Sequence, residues 1–266
     1  MVSTEDTPLS GDPVVNDLLE RGIEQAEAGH PPRNRQALAD LARNYFMHVD
    51  PADLIESDPS DLIGMVTSHR RLAMVRQPRE TNVSVFTPTI NANGWTCGHT
   101  VVQVVTDDMP FVVDSICLAL TGSGHDLHLI IHPQMVVVRN DQGELTEIVG
   151  QFALEGQDQW PDDAQVESWV LVEINRESSQ PDLDAVDEAV TRALTDVRAS
   201  VEDWKAMHER AVDLAAEMRE HPPISVASAE VTEAAEFIDW LASNNFTFLG
   251  YREYELKDEG ETLAPV

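Results

Sequence analysis

The residues best placed to do chemistry in this chain lie within "VVQVVTDDMPFVVDSICLAL", residues 101–120. An apolar run reaches Asp107 and Asp108, turns through Met109 and Pro110, and resumes at Phe111 with helical spacing. Two roles suit the same atoms. As a helix start, Asp107 or Asp108 accepts hydrogen bonds from the first free N–H groups, and Pro110 sets φ in the first turn. The acids also complement the helix dipole. As a ligand site, the turn's N–H groups meet an amino-acid carboxylate while a nearby aspartate takes the ammonium. The rim of such a site is Asp107, Asp108, Met109 and Pro110, with Asp114 as the ammonium partner. Met109 and Phe111 read as half-buried packing.

Other reactive groups point to structure. His128 and His132 share a strand face but stand about 13 Å apart along it, so a shared ion needs a sharp bend at Pro133. Packed or surface histidines explain His125, His128 and His132 better than a metal does. The basic island "HRRLAMVRQPR" at 69–79 suits an internal salt-bridge face more than a phosphate site. No G-x-G-x-x-G follows a strand, and the Walker A, G-x-S-x-G and H-E-x-x-H patterns are missing from the sequence. We therefore assign no catalytic residue, no cofactor-binding residue and no metal ligand.

Composition narrows the partners. The 266 residues carry 48 acidic against 17 basic side chains, a net charge of -31. That field repels phosphate backbones and anionic lipid, so neither nucleic acid nor membrane is an expected partner. Cys97 and Cys117 stand apart without C-x-x-C spacing, which suits a reducing compartment. The N-terminus is acidic and polar, unlike a secretory signal. No run approaches eighteen apolar residues. The expected location is cytoplasmic.

These side chains need elements to position them. A disordered lead is expected over 1–13 and a helical region over 14–80, with Leu38, Leu41 and Tyr45 on one face. "TNVSVFTP" reads as a short strand. Residues 99–106 are β-rich and 110–121 helical; "HDLHLIIHPQMVVVR" is a strand with Pro133 as a bend, "NDQG" a hairpin turn, and "ESWVLVEI" a further strand. An unbroken amphipathic pattern covers 182–219; a single helix of that length would extend about 57 Å, so it bends or packs against another helix or subunit. A helix over 230–243 leads into "FTFLGYREYEL", read as a strand, with Trp240, Phe246 and Phe248 as core. The chain stops soon after, which reads as a truncation.

"GWTCGHTVVQVVTDDMPFVVDSI", "HLIIHPQMVVVRNDQGEL", "ESWVLVEI" and "FIDWLASNNFTFLGYREYEL", in that order, resemble the N-terminal region of the very large bacterial NAD-specific glutamate dehydrogenases. "YFMHV" and "VSVFTP" fit the same region upstream. The resemblance runs over roughly residues 38–256. It implies ACT-like modules that regulate or assemble the enzyme, with the dehydrogenase domain further along a longer polypeptide. NAD then serves the full-length enzyme, which oxidises L-glutamate to 2-oxoglutarate and ammonia, and no cofactor is expected in this segment.

The expected fold is α+β: a helical N-terminal region on a ferredoxin-like, ACT-like βαββα module at 81–200. A helical connector and the start of a second module follow at 201–266. A final strand for the first module comes from "FTFLGYREYEL" or is absent. The expected function is a non-catalytic regulatory and oligomerisation segment whose partners are the rest of the same polypeptide, further copies and an amino-acid effector. A stand-alone amino-acid sensor and a pure assembly scaffold, with 182–219 pairing between subunits, are the alternatives.

Overall fold

The computed structural model describes residues 12–29, 35–152, 160–222, 226–252, 256–258 and 263–265. The expected lead, through residue 11, and part of the acidic loop 155–166 lie outside the described residues. The chain divides into two compact units, Met1–Thr195 and Asp196–Val266.

In the first unit, helices α1 (Pro13–Gly29), α2 (Arg35–Phe46), α3 (Pro51–Leu54) and α4 (Pro59–Leu72) precede the sheet. Asp50 and Asp58 each accept from a backbone N–H in the following turn, and each is followed by a proline. The two Asp-Pro pairs are thus helix starts. Gly22 lets α1 lie directly on α4: a Cβ there would sit 2.2 Å from the Pro59 carbonyl oxygen.

Strand β1 (Asn82–Phe86) and the short helix α5 (Ile90–Asn93) lead to β2 (Thr100–Asp107), α6 (Val112–Gly122), β3 (Leu127–Ile131), β4 (Gln134–Arg139), β5 (Leu145–Gln151) and β6 (Ala164–Ile174). The six strands form one antiparallel sheet in the order β1-β2-β6-β4-β5, with β3 also on β6. β3 lies opposite Leu171–Ile174 and β4 opposite Ala164–Ser168, so they are two halves of one line interrupted at His132-Pro133. Pro133 cannot donate to the ladder, and the line breaks there, as expected.

Side-chain alternation gives the sheet two faces. Val101, Val105, Trp169 and Leu171 join the buried cluster built with Leu19, Tyr45, Phe46, Leu62 and Val66 of α1, α2 and α4. Val102, Val104, Val170, Val172 and Ile174 alternate to the opposite face and are wholly buried. α6 packs against β3 and β6, with Val112, Ile116 and Leu120 buried. The architecture is α+β around a six-stranded antiparallel sheet, with the helical N-terminal region on one face.

The long pattern at 182–219 is not one helix. It forms α7 (Gln180–Glu202) and α8 (Trp204–Glu220), separated at Asp203. Beyond it, α9 (Ser228–Trp240) runs into a π-helical turn, Leu241–Asn245. Residues 246–252 form no strand, contrary to expectation; 253–255 lie outside the described residues. The edge beside β2 is occupied by β1. A two-stranded ladder follows, β7 (Leu256–Asp258) and β8 (Leu263–Pro265). Trp240 and Phe246 are 53% and 57% exposed, so they are surface and not core.

Candidate functional site

The β2–α6 join holds all five residues singled out above. Asp107 is the last residue of β2 and faces the helical layer, directly across the ladder from Glu167. Asp108 follows and points to the opposite face, because successive side chains alternate. This alternation separates two consecutive aspartates into two unrelated networks.

Asp107 belongs to a buried charge cluster. Arg76 is fully buried and its Nη1 lies 2.8 Å from Asp107 Oδ1. Arg76 Nε and Nη2 donate to Glu167 Oε1 at 3.0 and 2.7 Å. Arg139 grips the same carboxylate from β4, with Nε on Oε1 at 2.7 Å and Nη2 on Oε2 at 2.9 Å. Trp169 Nε1 adds a bond to Oε2 at 3.2 Å. Burial works against a charged Glu167, but the Arg139 hydrogen bonds and the two arginine charges outweigh it and hold its pKa below the usual value. Arg76 is the part of the basic island that serves as an internal salt bridge.

Asp108 is held by neutral donors. Ser168 Oγ donates to its Oδ1 at 2.6 Å and Gln134 Nε2 to its Oδ2 at 2.9 Å. With the serine proton committed to Asp108, His132 Nε2 donates to Ser168 Oγ at 3.0 Å. Burial pushes the His132 pKa down, against the pull of the Asp108 charge.

Neither aspartate caps α6. Its N-cap position is Phe111, in the left-handed region at φ 67°, and no side chain caps the helix. Pro110 precedes the helix and is not its first residue, correcting the capping expectation. The direct cause is the chain turning through Phe111 after both carboxylates are already engaged. A bulky residue at positive φ is strained. Phe111 is exposed and Met109 half-buried. Asp114, in the first turn of α6, is exposed and makes no ion pair among the described residues. The join thus offers an uncapped helix N-terminus beside a carboxylate with no ion-pair partner among the described residues.

The three histidines go to different partners. His132 bonds Ser168, His128 meets Asn175 Oδ1 at 2.9 Å, and His125 lies 3.7 Å from Glu177. His128 also stacks on His99, ring centroids 4.0 Å apart, and His99 Nδ1 lies 2.8 Å from Glu173 Oε2. This pair borders a cavity of about 370 Å³ whose walls include Asp53, Glu56, Asp61 and Cys97. Burial, reinforced by the Glu173 charge, pushes the Cys97 thiol up to about 12, which keeps it protonated and unreactive. The His99–His128 stack joins residues 29 apart on separate elements, and spacing within one segment carries no signal for it.

A family model for the glutamate dehydrogenase ACT1 domain matches residues 41–190. The chain belongs to this family. The match takes in the second half of α2, all of α3 and α4, β1 to β6 with the β2–α6 join, and the start of α7. Among relatives, the NAD-specific glutamate dehydrogenase of Pseudomonas aeruginosa is 31% identical over 83% of this chain and 13% of its own length. That of Halomonas elongata is 28% identical over 91% of this chain and 15% of its own length. This ACT1 chain therefore spans about one seventh of the curated relatives it matches. Among the described residues, no helix is long and apolar enough to cross a membrane.

Proposed function

We propose that this ACT1 chain is the N-terminal, non-catalytic regulatory and assembly segment of an NAD-dependent glutamate dehydrogenase. The observation that carries the reading is the alignment of nearly the whole chain to a small fraction of enzymes that bear that name. In the complete polypeptide, NAD and the oxidation of L-glutamate to 2-oxoglutarate and ammonia belong to a dehydrogenase domain elsewhere. Its setting is cytoplasmic, and its partners are that domain and further copies of the same protein.

The sheet supports an ACT-like module. With the hairpin strand β5 set aside at the edge, β2, α6, the β3/β4 line, β6 and α7 are ordered as β-α-β-β-α, and β6 lies between β2 and the β3/β4 line. That is the chain order and central strand arrangement of a ferredoxin-like unit. β1 supplies the strand outside β2 from the N-terminal side.

The β2–α6 join is the effector site in this reading. N–H groups of the α6 first turn receive an amino-acid carboxylate, and Asp114 takes the ammonium. Met109 and Pro110 form the rim. Asp107 and Asp108, already bonded to protein partners, hold the turn in shape. Titration calorimetry against glutamate, aspartate and other amino acids tests this. Saturable binding is expected, weakened about tenfold or more in Asp114→Asn, the effect of losing one charged hydrogen bond. Identical binding by the variant would remove Asp114 from the site. No heat from a chain with a cooperative melt would favour the scaffold alternative.

A further inference from the structure

A second cavity, of about 530 Å³, opens between α1, α4 and the C-terminal end of α5. Its α4 wall is one helical stripe: Ser60, Gly64, Thr67 and Arg71 recur at steps of three and four. Gly64 sits hard against Trp95, where a Cβ would lie 2.3 Å from the Trp95 Cβ and 2.4 Å from its ring. Gln25 of α1, Asn93 at the end of α5 and Ser68, whose hydroxyl is already bonded to Met65 and Gln103, add to the polar lining.

The charge of this lining departs from that of the molecule. The chain carries 48 acidic residues, yet among the described residues no carboxylate lines the cavity, and Arg71 is the charged group there. Among the described residues, Arg71 makes no ion pair, unlike Arg76 and Arg139. Asn93 Oδ1 accepts from the Thr89 N–H at 3.0 Å, which turns its other terminus, the NH2 donor, loose. Gln25 and Thr67 make no side-chain hydrogen bond to described residues. Guanidinium, amide and hydroxyl donors therefore line one space with no carboxylate among its described residues. A planar guanidinium is suited to gripping two oxygens of an oxyanion at once.

We propose that this cavity binds a small oxyanion, a carboxylate or a phosphate, gripped by Arg71 and hydrogen-bonded by Asn93 and Thr67. The site is separate from the β2–α6 join, so it stands or falls independently of the effector reading. It also does not depend on the chain's membership of a dehydrogenase.

Thermal melts of the purified chain, with sodium glutarate and inorganic phosphate titrated against sodium chloride of equal ionic strength, test it. A ligand that binds only the folded state raises the midpoint saturably. The expected result is such a rise with at least one anion, weakened about tenfold or more in Arg71→Gln. A response to glutarate alone assigns a carboxylate ligand, to phosphate alone a phosphoryl ligand. Arg71 is exposed and without an ion pair, so Arg71→Gln should melt like the parent in chloride; Asn93→Ala gives a second variant with the same expected loss. No rise beyond chloride with either anion, or an unchanged rise in both variants, overturns the proposal.

Discussion

Replacing Glu167 with alanine is expected to destabilise the fold by about 3–5 kcal/mol, the range for removing one partner from a buried ion cluster. Glu167 and Arg76 are fully buried, and Arg139 is 6% exposed on its side chain. Without the carboxylate, two guanidinium groups remain in the interior, with Asp107, 2.8 Å from Arg76, as a counter-charge to one of them. The backbone carbonyls of Glu80, Ala73 and Gly143 still accept from the arginines at 2.9 Å, but they carry no net charge. Denaturant unfolding of parent and variant measures the effect. A loss below about 1 kcal/mol would mean that water or rearrangement relieves the stranded cations, at odds with the burial described. Glu167→Gln keeps the shape and isolates the charge, so it should fall between parent and alanine variant.

The second large effect is a loss of stability in mild acid caused by His69. Its imidazole is buried between Tyr45 and the sheet. The Val104 carbonyl can only accept, so His69 Nε2 carries the proton and donates to it at 3.0 Å. Nδ1 then accepts from the Tyr45 hydroxyl at 2.7 Å. Burial lowers the His69 pKa from the ordinary 6.5 to about 4, opposed in part by the Val104 bond, which favours the protonated form. The unfolded chain therefore takes up a proton between these values that the folded chain refuses. The contribution of His69 is complete above pH 6.5 and is lost as the pH falls towards 4, amounting to about 3 kcal/mol. His132, whose pKa burial also lowers, adds in the same direction. Glu167 acts in a separate, lower window, because its depressed pKa keeps its contribution until the pH drops below the ordinary glutamate range. Unfolding free energies measured from pH 7 to 4 should fall steeply, and His69→Gln should flatten the slope even though it is less stable at pH 7. An equal slope in the variant would place the acid sensitivity elsewhere.

Local rules made part of this molecule readable in advance. Alternation gave β1, β-rich apolar runs gave β2 and β6, the helical spacing after Pro110 gave α6, and Pro133 marked the break between β3 and β4. What the rules could not reach is pairing over distance. Asp107 meets Arg76 across 31 residues and Asp108 meets Ser168 across 60, so no local pattern distinguishes these aspartates from helix caps. Strand alternation did imply that the two point to opposite faces, a clue that spacing alone already held. The break at Asp203 involves neither proline nor glycine, and an unbroken apolar stripe hides it. Trp240 and Phe246 show the remaining gap: periodicity finds an apolar side chain but not whether anything covers it.

Catalysis in one part of the polypeptide and its control in another can be separated by truncation. Glutamate-dependent reduction of NAD should be assayed for the whole gene product, for the same polypeptide lacking residues 1–266, and for the chain 1–266 alone. The expected result is no turnover by the chain alone, retained chemistry in the shortened polypeptide, and loss there of the response to amino-acid effectors or of the native assembly. Turnover by residues 1–266 alone, or a shortened enzyme with the parent's effector response and assembly intact, would contradict it.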